Sequence, residues 1–240
     1  MQDSLYVSLS SQIALQRRLD TIADNVANAS TVGFRATGVK FQDVVSGSGQ
    51  KSVSFSSSGD TYLSGAHGSM TETGNPFDFA IQGDAWFGIE TPAGTVMTRD
   101  GRFSMNDNGE LMSIEGYPVL DAGGAPIQLD PRGGPPEAGA DGSLRQGGLT
   151  VGTIGLFDFD PGPNFVRFGN SGIVPSREPE PLADRVDVGV AQGFVEESNV
   201  NPVLEMTRLI QVQRAFDNVS ALMRQAEGST DEAIKTLGSK

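Results

Sequence analysis

The chain has 240 residues and a mass of 25.2 kDa, with 37% hydrophobic and 20% charged residues, enough for one large domain or two modest ones. Its 31 Gly and 13 Pro argue for many turns and short strands, and against an all-helical protein. A net charge of -13 repels a phosphate backbone, and the absence of Cys, with a single His, removes disulfides, thiolate metal sites and a thiol nucleophile.

In chain order, the start MQDSLYVSLSSQIALQRR lacks a basic segment leading into an apolar one, so it is not read as a cleavable secretory signal, and no later run approaches the length of a membrane span. The apolar positions Leu5, Leu9 and Ile13, then Leu15, Leu19, Ile22 and Val26, step by three or four within each set. That spacing predicts an amphipathic helix from Leu5 to Ala29, with its exit turn across Asn28 to Gly33. From Phe41 to Asn199 the pattern changes to short β runs divided by turn signals. Ser46 to His67 is Ser- and Gly-rich and reads as a linker. Phe77, Phe79 and Ile81 alternate with smaller or polar residues, and Ala85 to Ile89 is a compact aromatic run; both suit strands. Met97 and Phe103 lead to Asn106-Asp107-Asn108-Gly109, a hairpin signal, and on to Leu111–Ile114. Further strands are expected at Tyr117–Leu120, Ile127–Leu129, Leu149–Ile154 and Leu156–Phe159, with a loop over Pro131–Gly142. Asn201-Pro202 offers an N-cap followed by proline at the first helical position. Behind it Leu209, Val212, Phe216, Val219, Met223 and Ala226 step by three and four, a heptad seam that fades at Gly228 and resumes through Ala233 and Leu237.

The expected fold is α+β. Paired, coiled-coil-like N- and C-terminal helices occupy 1–40 and 200–240, a linker or extended segment 41–75, and a central, mainly antiparallel β domain 76–199, with Phe79, Ile81, Trp86, Phe103 and Leu111 in its core. Charge divides along the same lines: residues 1–40 carry four basic and three acidic groups, residues 200–240 five of each, and the middle eight basic against 22 acidic. Nearly neutral helices can be crowded together in many copies, whereas an acidic middle suits an outer, wet surface.

Chemical motifs are weak. Gly47-Ser48-Gly49-Gln50-Lys51-Ser52 is a broken phosphate-loop fragment, better read as linker. Ser104, Asn106, Asn108, Gly109 and Glu115 fall at calcium-loop spacing but begin with Ser and have strand flanks, so a hairpin is favoured. Asp158 and Asp160 read as solvated edge charges, and His67 lies among small residues without acidic neighbours in sequence, so it reads as an exposed loop histidine. Phe77, Phe79, Trp86 and Phe87 read as β core rather than as a ligand platform. No catalytic residue, metal or cofactor is expected.

Three segments together resemble the flagellar rod and hook family of bacteria. They are Asp24-Asn25-Val26-Ala27-Asn28-Ala29-Ser30-Thr31-Val32-Gly33-Phe34-Arg35; Phe79 to Phe87 with Thr98 to Ser104 and Gly116 to Leu120; and Gly193 to Pro202 with Gln213-Arg214-Ala215-Phe216. Asp24, Ser30 and Val32 depart from the residues usual there. The chain is far too short for a hook protein. Gln16-Arg17-Arg18-Leu19-Asp20 and Val203-Leu204-Glu205-Met206-Thr207-Arg208 resemble proximal rod members most, with distal rod members as the alternative. The resemblance implies a structural subunit of the basal-body rod, transmitting torque through helix-packed axial assembly. It would be exported through the flagellar type III apparatus and assembled in the periplasm-spanning rod with copies of itself and other rod proteins, without nucleic acid or membrane insertion. On this reading the assembly interface comprises Leu5, Leu9, Leu19, Ile22, Val26, Asn28, Gly33, Phe34, Leu209, Val212, Phe216, Val219 and Met223. Two other classes compete on the residues alone: a β-rich binding module with helical oligomerisation arms, and a hydrolase, whose carboxylates lack a partner His or metal set.

Overall fold

A computed structural model describes residues 2–46, 53–57, 59–182 and 187–238. The chain forms two compact units, one of residues 1–27, 37–62 and 201–240, the other of residues 28–36 and 63–200.

The first unit is built on two long helices, α1 (Gln2–Ala27) and α2 (Pro202–Gly238). The expected caps form: Pro202 opens α2, and Leu204 N donates to Asn201 Oδ1 at 3.1 Å. α2 runs through Gly228 unbroken to Gly238, as a segment whose apolar positions resume at Ala233 and Leu237 requires. A helix-interior glycine costs only about 1 kcal/mol, too little to end a helix of this length. The strand Thr37–Lys40 pairs with Asp60–Leu63, and the hairpin Asp43–Ser46 with Val53–Ser56 packs along α1. The stretch 46–67 therefore carries strands hidden by its Ser- and Gly-rich composition. The phosphate-loop fragment Gly47–Ser52 lies outside the described residues.

The second unit is mainly antiparallel β. Its largest sheet runs Val166–Phe168, Gly172–Val174, Gly94–Thr98, Trp86–Thr91, Leu156–Asp158, Glu180–Pro181 in spatial order. Both faces are covered, because neighbouring residues on a strand point to opposite sides. Phe87, Ile89 and Val96 join Phe79, Ile81, Phe103 and Leu111 in the larger core, while Trp86 and Met97 meet Phe157 and Ile173 on the other face. Trp86 is thus buried as expected but belongs to a separate core from the other expected residues. Aromatic edges knit each side, Phe87 on Phe103 at 5.2 Å and Trp86 on Phe159 at 5.7 Å.

The hairpin Phe103–Met105 with Leu111–Ser113 forms at the Asn-Gly signal, closed by Asn106 Oδ1, which accepts from the amides of Asn108 and Glu110. Tyr117–Leu120 and Ile127–Leu129 make isolated bridges instead of strands. Two of these bridges fall on Pro118 and Pro126, which have no N–H to give a ladder.

The helix pair and the signature junction

α1 and α2 pack against each other as an antiparallel pair. Gln12 Nε2 lies 3.3 Å from Ser220 Oγ, whereas Arg18 to Asn25 of α1 share a cavity with Glu205 and Arg208 of α2, so numbering rises on one helix as it falls on the other. Ala14, Ile22 and Val212 are buried, and Leu19, Val26, Leu209, Phe216, Val219 and Met223 are half-buried on the same faces. The heptad stripe of α2 therefore turns inward. Asn25, buried within α1, is satisfied by the strand beside it: its Nδ2 donates to Thr37 O and its Oδ1 accepts from Thr37 N, both at 2.9 Å.

A second set of apolar side chains points away from the pair. Tyr6, Leu9 and Ile13 on α1, and Val203, Met206 and Ile210 on α2, are between 42% and 76% exposed. Each trio steps by three and then four, so each forms one stripe. Leu9 and Ile13 thus belong to a different face from Leu19, Ile22 and Val26. The Leu5 side chain lies outside the described residues.

The second unit holds a buried ionic junction. Glu196, at the end of the strand Phe194–Glu196, is 3% exposed and takes Arg99 Nε on Oε2 at 2.6 Å. Its Oε1 lies 3.1 Å from Arg35 Nη2 and accepts from Gly68 N at 3.0 Å. Arg99, 1% exposed, spends its remaining donors on the carbonyls of Gly83, Ala85 and Ile81 and on His67 Nδ1. Guanidinium groups only donate, so His67 Nδ1 accepts from both Arg35, at 2.8 Å, and Arg99, at 3.1 Å; its Nε2 faces Asp84 Oδ1 at 3.0 Å. Burial lowers the pKa of Arg35 from the ordinary arginine value; the charge of Glu196 opposes this and that of Arg99 adds to it.

Around this centre the chain segments are stitched through their backbones. Gly33 N donates to Glu196 O at 2.7 Å, Asn199 N to Phe34 O, and Ala36 N to Asn199 Oδ1. Gly33 sits at φ 70°, where a side chain would run into the backbone of Asp100. Phe34, 1% exposed, lies under the Arg167 guanidinium at 4.3 Å.

Of the residues expected at an assembly interface, Ile22 and Val212 are buried and Leu19, Val26, Leu209, Phe216, Val219 and Met223 half-buried on two helices that pack against each other within one chain, while Leu9 is exposed. Gly33 and Phe34 are interior to the second unit, and Asn28 closes the turn after α1, its carbonyl accepting from Thr31 N at 3.1 Å. His67, expected as a lone loop residue, is tied to Asp84, Arg35 and Arg99, partners scattered along the sequence. Arg35, Arg99 and Glu196 were missed as a set. The available signal was that each lies in a different one of the three quoted motifs.

Comparison with known proteins agrees with that convergence. The family described as flagella basal body rod protein matches residues 5–35, the flagellar hook protein FlgE/F/G D1 domain matches 80–151, and the flagellar basal body rod FlgEFG protein C-terminal region matches 191–236. The chain is 83% identical to the flagellar basal-body rod protein FlgF of Mesorhizobium japonicum over 100% of both chains, and 56% identical to FlgF of Rhizobium meliloti over 99% of both. To the flagellar basal-body rod protein FlgG of Bacillus subtilis it is 31% identical, over 99% of this chain and 98% of that one. By its matched segments and its full-length identity to these relatives, the chain belongs to the flagellar basal-body rod protein family.

Proposed function

We propose that the protein is a structural subunit of the flagellar basal-body rod, placed at the proximal part of the rod, as the FlgF relatives' names and their identity to this chain suggest. The observation that carries the reading is the pair of outward apolar stripes, Tyr6-Leu9-Ile13 and Val203-Met206-Ile210, on a helix pair whose inward seam is already occupied. Stripes of this kind expose apolar area that a neighbour can cover, and large exposed apolar patches on a monomer mark interaction sites.

In this reading the heptad seam of α2 joins α1 in a coiled-coil-like pair within each subunit, and the outward stripes join subunits to copies of the chain and to other rod proteins. Torque passes through many repeated noncovalent helix contacts, and no catalytic group is needed. The chain reaches the periplasm-spanning rod through the flagellar type III export apparatus, which suits a sequence without Cys.

The test is genetic and biochemical together. Cells lacking the chain are expected to be non-motile, with basal bodies stopped at an incomplete rod, and a tagged copy is expected to restore swimming and co-purify with basal bodies. Motile null cells, or a tagged chain absent from purified basal bodies, would reject the rod role.

A further inference from the structure

The two stretches by which the chain resembles proximal rod members, Gln16–Asp20 and Val203–Arg208, are far apart in sequence, yet both reach one cavity of about 200 Å³ in the helical unit. Arg18 of α1 and Arg208 of α2 stand on its walls. Asn25, Thr37, Gly38 and Tyr62 also line it: Asn25 holds Thr37 through both amide atoms, and the Tyr62 ring lies over Gly38 where any side chain would collide with it. Arg208 is held in place by the buried Glu205 carboxylate, Nη1 to Oε1 at 2.5 Å, with a side chain that remains 49% exposed. Apart from that one bond its guanidinium has no partner among the described residues, and Arg18 has none at all among them. Two guanidiniums therefore face a cavity containing one carboxylate, and that carboxylate is already engaged.

We propose that this cavity is a receptor for an acidic side chain, an Asp or Glu carboxylate presented by the β-rich part of a second copy of this chain in the rod. A carboxylate between two guanidiniums can accept charge-assisted hydrogen bonds from both, the arrangement in which arginine outperforms lysine. Charge selects the donor: the helical segments are nearly neutral, while the middle of the chain carries 22 acidic groups against eight basic ones, so a neighbouring copy offers carboxylates in excess. Arg18 has no role in the fold of its own subunit that the described contacts reveal. Its function is accordingly outward, fixing register between copies that the non-directional apolar stripes leave free to slide. The second-copy assignment rests on the rod reading; the carboxylate receptor itself does not.

The full chain, with arginine side chains labelled for NMR, is titrated with glutarate against sodium chloride at matched ionic strength. A saturable shift of the Arg18 and Arg208 Nε–H signals is expected, weakened about tenfold or more in Arg18→Gln, with unchanged thermal unfolding of that variant. A shift that is linear, equal in sodium chloride, or indifferent to Arg18→Gln overturns the receptor. In cells, a photo-crosslinking residue at Thr21, on the rim of the cavity, is expected to capture an acidic peptide from residues 63–200 of another copy, and Arg18→Glu to abolish swimming. Capture of a different rod protein, capture of no protein, or normal swimming by Arg18→Glu overturns the second-copy assignment. If the chain is absent from purified basal bodies, the rod role fails while the glutarate result still decides the receptor.

Discussion

Glu196 shows how much one side chain can be asked to hold. Its carboxylate meets Arg99 at 2.6 Å and Arg35 at 3.1 Å, and its backbone carbonyl receives Gly33 N, so two remote segments, one at Gly33 to Arg35 and one at Arg99, meet on one residue. Pairs of this kind contribute little net stability over a well-packed apolar alternative, because desolvating the charges offsets their attraction. Breaking one is another matter. Glu196→Gln removes the one carboxylate in direct contact with both buried guanidiniums and is expected to destabilise the second unit by about 3 kcal/mol or more in urea unfolding. Arg102→Ala is the comparison: its partner Asp100 lies at 2.6 Å, but Arg102 is 35% exposed, and the loss is expected to stay below about 1 kcal/mol. Equal losses for the two variants would mean that the junction is not the ionic keystone described. Gly33→Ala tests the same place through the backbone. The positive φ and the collision with Asp100 together should cost more than about 1 kcal/mol, and a thermal midpoint unchanged by that substitution would contradict the geometry.

At the scale of elements, the two faces of each helix divide their work, and substitution can separate them. Phe216 lies half-buried on the inward seam, so Phe216→Ala is expected to lower the stability of the helix pair within the full-length monomer by about 2 to 4 kcal/mol, read by helical circular dichroism on heating. Ile210, 52% exposed on the outward stripe, should behave in the opposite way: Ile210→Ser leaves the melting of the monomer within about 0.5 kcal/mol and impairs swimming. A swimming Ile210→Ser strain would remove the outward stripe from the assembly surface. Period alone revealed that α2 has a seam, because Leu209, Val212, Phe216 and Val219 obey it without interruption. Period could not say whether the seam meets α1 or another chain, since both solutions bury the same side chains. Spacing did split Leu5, Leu9 and Ile13 from Leu15, Leu19, Ile22 and Val26, but since one helix can carry two stripes that each satisfy the rule, it could not say which of them turns inward. The junction was legible as motifs and illegible as a site: Arg35, Arg99 and Glu196 come together only through strand pairing between distant segments. Thr71 opposite Val195 in the register Met70–Glu72 with Phe194–Glu196 is one such pairing, and no local signal encodes it.

Across the whole molecule, the two units differ in what they bury. The β unit has two apolar clusters, on either face of one sheet, with Phe79, Phe87, Val96, Met97, Leu111, Val119, Leu144 and Ile173 fully withdrawn from solvent. Among the described helical side chains only Ala14, Ile22, Asn25, Glu205 and Val212 are buried, and two of those five are polar. Burial of apolar area is the main term that offsets ordering entropy, so the free energy of opening should follow the same division. Backbone amides of the strand Phe79–Gln82 are therefore expected to exchange with solvent at least about a hundredfold more slowly than those of α2 between Leu209 and Met223 in the monomeric protein, a gap of roughly 2.7 kcal/mol in opening free energy. The comparison is internal to one sample, so pH and temperature are common to both segments, and each rate is referred to the intrinsic rate of its own sequence. In assembled rods the helix amides should gain protection while those of Phe79–Gln82 change little, because the contacts added by neighbours fall on the outward stripes. Equal protection of helix and strand in the monomer would show that the helix pair is self-sufficient, and its exposed apolar stripes would then need a reason other than assembly.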